Sequence, residues 1–250
     1  MTATPIVLLH AFPLDHRMWH DVAAGLAGTR DVLTPDLPVA AGDPLPEPSL
    51  DAAADHVAAA VRAATDGPVV VAGLSMGGYV ALALLERHPG LVAGLALVDT
   101  RSTADDAEAA ARRLEVAAAV EQAGSVDPVR GSVATLLGES THGARPEVVA
   151  QVTAWIDEQD PARVAWAQRA MAARPDRTEV LAAFTGPVTV VVGDEDALTG
   201  VDAAEHMTAA ADGSLLVVVP RAGHLTAVED PAAVVTALTE LARRVDGPAD

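Results

Sequence analysis

The sequence predicts an α/β fold: a mostly parallel sheet of about six strands with helices on both faces. Three observations carry that reading. Short β-branched apolar runs alternate with stretches of helical periodicity along the chain. Strands joined through helices run parallel, and their connections cover both faces of the sheet. One such run leads straight into Gly73-Leu74-Ser75-Met76-Gly77, and a helical pattern begins directly after it.

The elements follow in order. The first strand is 6–10, with a helix near 16–27 and a short second strand at 31–35. Residues 38–48 are rich in Pro, Gly and Ala and read as a loop. A helix covers 52–64, the third strand 69–72, and a helix 76–87 that Pro89 stops. Strands at 91–98, 188–192 and 215–219 complete the sheet. The last helix has Asp230 as N-cap and Pro231 in its first turn, a favoured pairing, and Gly247-Pro248 ends it. Between the fourth and fifth strands the chain shows no strand pattern and is too long for a plain loop. Its periodicity is helical over 104–123, 128–137, 146–156 and 161–173. Residues 101–185 are therefore read as a helical cap inserted into a core of 1–100 and 186–250. Placed over Ser75, it excludes water and shapes an acyl pocket.

Gly-x-Ser-x-Gly between a strand and a helix forces one serine into a sharp turn with its hydroxyl exposed above the sheet. Gly73 and Gly77 are needed because side chains there would collide. A serine hydroxyl is a weak nucleophile at neutral pH and needs a base and a group that orients the base. The fifth strand runs into Gly193-Asp194-Glu195-Asp196, and the sixth into Arg221-Ala222-Gly223-His224. His224 is the base. Asp194, Asp196 and Asp99, at the end of the fourth strand, compete to be its acid. Met76, at a helix N-terminus, supplies one backbone N–H for a developing oxyanion.

These segments resemble the α/β-hydrolases, whose order of Ser, then Asp, then His the chain repeats. Within that fold the chain is similar to 3-oxoadipate enol-lactonases, cofactor-free haloperoxidase (perhydrolase) esterases and pimeloyl-carrier-protein methyl esterases. The matching segments are Leu8-Leu9-His10-Ala11-Phe12-Pro13-Leu14, Gly73 to Gly78, Gly193 to Asp196, and Gly223-His224-Leu225 leading to Glu229-Asp230-Pro231. The resemblance implies an α/β-hydrolase fold, shortened by the two antiparallel strands that usually come first. It implies that the second aspartate of Gly-Asp-x-Asp, Asp196, is the triad acid, with Asp194 in the turn. It also makes Phe12 the second oxyanion donor, its side chain lining the pocket. The family has His-Gly where this chain has His10-Ala11, a departure that disturbs the turn slightly and leaves the donor in place.

The expected activity is that of a serine hydrolase acting on a small carboxylic ester or lactone through an acyl-enzyme on Ser75, without cofactor. Perhydrolysis at the same site, lyase or cofactor-free oxygenase chemistry, and a slow ligand-sensing role are the alternatives. His10 hydrogen-bonds locally to shape the oxyanion loop, and Trp155, Trp166 and Met171 are candidates to line the pocket. Arg101, Arg163 and Arg169 are candidates to meet a substrate carboxylate, with solvated arginine as the commoner role. The acids at 105, 106 and 108 read as a helix start, and no His or carboxylate spacing suggests a metal site.

Composition adds exclusions. The chain has 250 residues, half of them hydrophobic but only 2% aromatic, so the core must come from Ala, Val and Leu. All 16 cations are arginines, which excludes Schiff-base lysine and Ser-x-x-Lys chemistry. There is no cysteine, hence no disulfide and no thiol catalysis. A net charge of −19 opposes nucleic acid and anionic membrane surfaces as partners. No apolar run approaches membrane-spanning length, and Met1-Thr2-Ala3-Thr4-Pro5 lacks the layout of a secretory signal. The expectation is a cytoplasmic protein whose partner is its small-molecule substrate, with association into a homo-oligomer left open.

Overall fold

The strands form one sheet in a computed structural model that describes residues 3–40 and 42–247. They are β1 (Ile6–Leu9), β2 (Val32–Leu33), β3 (Val69–Leu74), β4 (Val92–Val98), β5 (Val188–Gly193) and β6 (Leu215–Val219). Their order is β2-β1-β3-β4-β5-β6, and every neighbouring pair is parallel. The register aligns the carboxyl ends: Leu9 pairs with Gly73, Leu74 with Val98, and Gly193 with Val219. The strand order reverses between β1 and β3, the switch point where sheets of this kind open a crevice.

The helices are α1 (His20–Leu26), entered through a 3₁₀ turn at His16–Trp19, then α2 (Leu50–Ala64) and α3 (Met76–Arg87). Between β4 and β5 come α4 (Ala107–Ala123), α5 (Asp127–Arg130), α6 (Val133–Leu136), α7 (Glu139–Ala144), α8 (Pro146–Asp157), α9 (Pro161–Ala172) and α10 (Thr178–Ala182). Last are α11 (Gly200–Ala210), α12 (Thr226–Glu229) and α13 (Pro231–Asp246). Caps explain several boundaries. Ser49 accepts from the Asp51 amide before α2, Asp106 from Ala109 before α4, Asp160 from Ala162 before α9, and Asp230 from Ala233 before α13. Pro161 and Pro231 occupy first-turn positions where the missing N–H costs nothing. The acids near the start of α4 are thus partly a cap.

Alternation along the strands splits the core in two. Ile6, Leu8, Val70, Ala72, Ala96 and Val98 face one side, with α1 and α13. Val7, Leu9, Val69, Val71, Leu95 and Leu97 face the other, with α2, α3 and α11. Among the described residues no helix is long and apolar enough to cross a membrane.

Three expectations need correction. The helix expected over 128–137 is two short helices, α5 and α6, because the chain breaks at Gly131, where α5 ends. The helices α7, α10, α11 and α12 were not read from the sequence. They are short or buried at few positions: α11 hides only Ala204 and Met207. The third strand runs on to Leu74, so the turn after it begins at Ser75 itself. The expected stop at Gly247-Pro248 is met at Gly247, which has φ 76°, while Pro248 lies outside the described residues, as do Met1 and Thr2.

Two glycines set how closely the start of α3 packs on the carboxyl ends of β1 and β3. A Cβ on Gly73 would lie 2.2 Å from the Gly77 carbonyl oxygen, and one on Gly77 would lie 2.1 Å from the Leu9 oxygen. Both neighbours are backbone and cannot swing away. We expect Gly77→Ala to destabilise the protein by about 3 kcal/mol or more, the upper end of overpacking costs. Gly90 has open space around it, and Gly90→Ala should stay within about 0.5 kcal/mol. Urea unfolding of both variants checks the contrast.

Candidate active site

At the end of β3 the chain reverses at Ser75, which has φ 53° and ψ −113°. A non-glycine residue in that region is strained by about 1–3 kcal/mol and persists only where its surroundings over-determine it. Here the Ser75 N–H donates to the Val98 carbonyl at 3.0 Å. The Ser75 carbonyl accepts from the Gly78 N–H at 2.9 Å and from the Thr100 hydroxyl at 2.8 Å. Met76 opens α3, so its N–H precedes the helix's own hydrogen-bond ladder.

His224 sits in the loop after β6 and is buried. Its Nδ1 lies 3.0 Å from both carboxylate oxygens of Asp196. Asp196 also accepts from the Leu198 N–H at 2.8 Å, the Thr199 N–H at 3.1 Å and the Thr199 hydroxyl. Burial pushes the Asp196 carboxyl upward. The imidazole's hydrogen bond and charge, with the Thr199 and Leu198 donors, outweigh that and hold it well below the ordinary carboxylate range. A carboxylate facing Nδ1 fixes the proton there and leaves Nε2 as the basic nitrogen.

The rival acids are engaged elsewhere. Asp194 accepts from the Arg221 N–H at 2.6 Å, closing the turn after β6. Asp99 is fully buried and accepts from the Gly193 N–H at 3.0 Å and from the N–H and hydroxyl of Thr226 at 3.0 and 2.6 Å. Burial and the nearby charge of Asp196 push its carboxyl up, against these donors. It ties β5 to α12 beneath the site.

Ser75 and His224 border one cavity of about 420 Å³, together with Phe12, Tyr79, Leu136 and Met171. Phe12 and Pro13 also border a smaller cavity of about 200 Å³ that holds His10, Leu37, Met76, Arg163 and Ala167. The loop carrying Phe12 therefore separates two lobes. The Phe12 N–H finds no acceptor among the described residues. His10 is buried, and burial lowers its pKa. Its Nδ1 donates to the Ala11 carbonyl at 3.1 Å and its Nε2 accepts from the Leu37 N–H at 2.9 Å, so the neutral ring braces the loop from both sides. Ala11, where the resembling families have glycine, is buried and donates to the Met18 sulfur at 3.1 Å.

Of the residues expected in the pocket, Met171 borders the Ser75 cavity, but Trp155 and Trp166 do not. Gln168 and Met171 share one face of α9, and Trp166 lies two residues from Gln168, about 200° around the helix. Its side chain packs in the core, and its indole N–H donates to the Pro46 carbonyl at 2.7 Å. Trp155 shares a face of α8 with Val148 and Gln151 and borders an outer groove with His16 and Arg145. The arginines divide too. Arg169 pairs with Glu121, and Arg163 donates to the carbonyls of Leu37, Val39 and Ala40. Arg101 alone of the three borders the Ser75 cavity.

Two functional neighbours went unread. Thr199 caps Asp196 three residues on, and its signal is the Asp-x-x-Thr spacing after a strand. Glu229 is buried, and its carboxylate accepts from Gly138 N–H at 2.9 Å, Thr141 hydroxyl at 2.6 Å, Gly223 N–H at 2.8 Å and Leu225 N–H at 3.3 Å. It thereby clamps α7 to the two residues flanking His224. Only the match of Glu229-Asp230-Pro231 to the resembling families marked it.

Residues 6–237 match the sequence profile of the alpha/beta hydrolase family. A pimeloyl-[acyl-carrier protein] methyl ester esterase of Neisseria meningitidis is 28% identical over 243 residues, covering 88% of this chain and 85% of that protein. The structure of a thermophilic esterase from Thermogutta terrifontis, solved with malate bound, superposes with TM-score 0.93 at 36% identity, covering 98% of this chain and 92% of that one. An enol-lactonase from Burkholderia xenovorans shares the fold, with TM-score 0.86 at 20% identity over 96% of this chain and 92% of its own.

Glu229→Ala leaves four donors without their acceptor, and we expect it to cost about 3 kcal/mol or more, read as a lowered melting temperature. Acid should act through the carboxylates held low. Burial pushes Asp15 up, but hydrogen bonds from Arg17 and Gln159 bring it down to about 2 from the ordinary 3.8. A carboxyl depressed in the folded state contributes stability above pH 3.8 that is lost as pH falls through about 2. Melting temperature should therefore fall across that window, and less steeply in Asp15→Asn.

Proposed function

The chain belongs to the alpha/beta hydrolase family, and from that premise we propose that it hydrolyses a small carboxylic ester or lactone through an acyl-enzyme on Ser75. One observation carries the reading: the strained Ser75 and the Asp196-bound His224 border the same cavity. The esterase names of two relatives support the same reaction class.

In this reading the Ser75 oxygen attacks the carbonyl carbon while His224 Nε2 takes the hydroxyl proton. Asp196 holds the ring and stabilises the imidazolium. The charge moved onto the carbonyl oxygen is met by the N–H groups of Met76 and Phe12. Collapse expels the alcohol, or opens the lactone ring, with His224 returning the proton. Water then repeats the sequence on the acyl-enzyme, releasing the acid and restoring Ser75.

We assign residues 101–185 to a lid over a core of 1–100 and 186–250. Supporting this, Asp105, Ser132, Leu136, Gln168 and Met171, all from that span, border the Ser75 cavity. The lid excludes water during attack and shapes the space for the substrate.

A fluorophosphonate should label Ser75, and p-nitrophenyl acetate should be hydrolysed. Ser75→Ala should lose both, and His224→Ala should lose labelling. Asp196→Asn should lower kcat by about 10⁴, as when an imidazole loses its orienting acid. Asp194→Asn should stay within about tenfold of wild type, since that carboxylate closes a turn. Full activity in Ser75→Ala would refute acylation there.

A further inference from the structure

We propose that Ser140 and Thr141, in the first turn of α7, are positioning residues for the Asp196–His224 pair. The start of α7 is a brace that ties the loop carrying the acid to the loop carrying the base. The proposal rests on the ester-hydrolase reading and assigns further residues within it.

Asp196 follows β5 and His224 follows β6. The two loops meet directly where the Glu195 N–H donates to the Ala222 carbonyl at 2.9 Å. Each loop is also held by a carboxylate that takes hydrogen bonds from the start of α7. On the acid side this is Glu195, the residue before Asp196. It accepts from the Ser140 hydroxyl and from the Ser140 N–H, the latter at 2.8 Å. Those two bonds, the hydroxyl's first, hold the Glu195 carboxyl below its ordinary range, so the ionised form is the one they fasten.

On the base side the carboxylate is Glu229, which is buried and divides its oxygens between two partners. Oε2 accepts from the Gly138 N–H at 2.9 Å and the Thr141 hydroxyl at 2.6 Å. Oε1 accepts from the N–H groups of Gly223 and Leu225 at 2.8 and 3.3 Å, the residues on either side of His224. Between the two carboxylates, backbone meets backbone. A Cβ on Gly223 would lie 2.2 Å from the Gly138 nitrogen, and one on Gly138 would lie 2.9 Å from the Gly223 nitrogen. The residue before α7 is thus seated on the residue before His224 with no side chain between them.

Residues 138–141 therefore bear on the neighbour of Asp196 and, directly or through Glu229, on both neighbours of His224. Neither Ser140 nor Thr141 borders the Ser75 cavity. Their effect on the reaction has to pass through the two loops, which set the imidazole against Asp196 on one side and Ser75 on the other. Misplacement of reacting groups by about 1 Å can cost about 10²-fold in rate, so a brace at this point is felt in turnover.

Thr141→Val keeps the side chain's shape and removes the donor to Glu229. Ser140→Ala removes the hydroxyl donor to Glu195. With p-nitrophenyl acetate each should lower kcat by about three- to tenfold, and the double variant by about 10- to 100-fold, while KM stays within about twofold. Thr141→Ser restores the hydroxyl and should return kcat to within about twofold of wild type. Rates are read well below each variant's melting temperature, where a purely structural loss leaves the folded enzyme's kcat unchanged. Proton NMR supplies a second readout, since an imidazole Nδ1–H bonded to a carboxylate resonates far downfield. That resonance should shift upfield or broaden in Thr141→Val and recover in Thr141→Ser. A folded double variant with wild-type kcat and an unmoved resonance would overturn the proposal, and so would a loss of kcat with the resonance unmoved. If Thr141→Val fails to fold, Ser140→Ala decides by both measurements. A resonance that moves as described, in a protein neither labelled at Ser75 nor active on any ester, would support the brace and sink the hydrolase reading instead.

Discussion

The structure depends on one close approach, that of the turn after β3 against the carboxyl end of β1. Gly77 rests on the Leu9 carbonyl, and Gly73 rests on Gly77. No side chain fits in either contact. This approach brings the chain after β1, with Phe12, beside the chain after β3, with Ser75 and Met76. It also commits Ser75 to a left-handed backbone, held by Val98, Gly78 and Thr100. The two cavities open on either side of the same loop, so their geometry follows from backbone packing more than from any side chain.

Around that contact, carboxylates do the work of joining loops. Asp99 reaches Gly193 and Thr226, Asp194 reaches Arg221, Asp196 reaches His224 and Thr199, and Glu229 reaches Gly138, Thr141, Gly223 and Leu225. The three buried ones, Asp99, Asp196 and Glu229, are each met by several donors, which is what makes burial of such groups tolerable. The loop carrying His224 is held from below by Asp99 through Thr226 and from the side by Glu229. Positioning the imidazole is therefore a property of the network, and the helices between β4 and β5 take part in it through α7.

The helices between β4 and β5 give the Ser75 cavity its character. They and their connections bring Arg112, Arg113 and Ser132 to the cavity that Arg101 also borders, in a chain of net charge −19. The aromatic residues of the same helices turn away, Trp166 into the core and Trp155 toward an outer groove. The cavity is in consequence bordered by Met171, Leu136 and Phe12 for apolar contact and by guanidiniums for charge.

By itself the sequence determined what is local. The alternation of strands and helices, the glycines flanking Ser75 and the Asp230-Pro231 start of α13 all depend on residues a few positions apart, and the order of serine, acids and histidine reads directly along the chain. The helix α11 escaped it because few of its side chains are buried, leaving a weak period. Among Asp99, Asp194 and Asp196 the family resemblance pointed to Asp196, and strand register and turn geometry are what set it against His224 in the folded chain. Only the tertiary structure decided which of Trp155, Trp166 and Met171 meets the cavity, because a helix's rotation about its axis is set by packing. Arg101, Arg163 and Arg169 look alike in the sequence. They differ only in what the folded chain places within reach of each guanidinium.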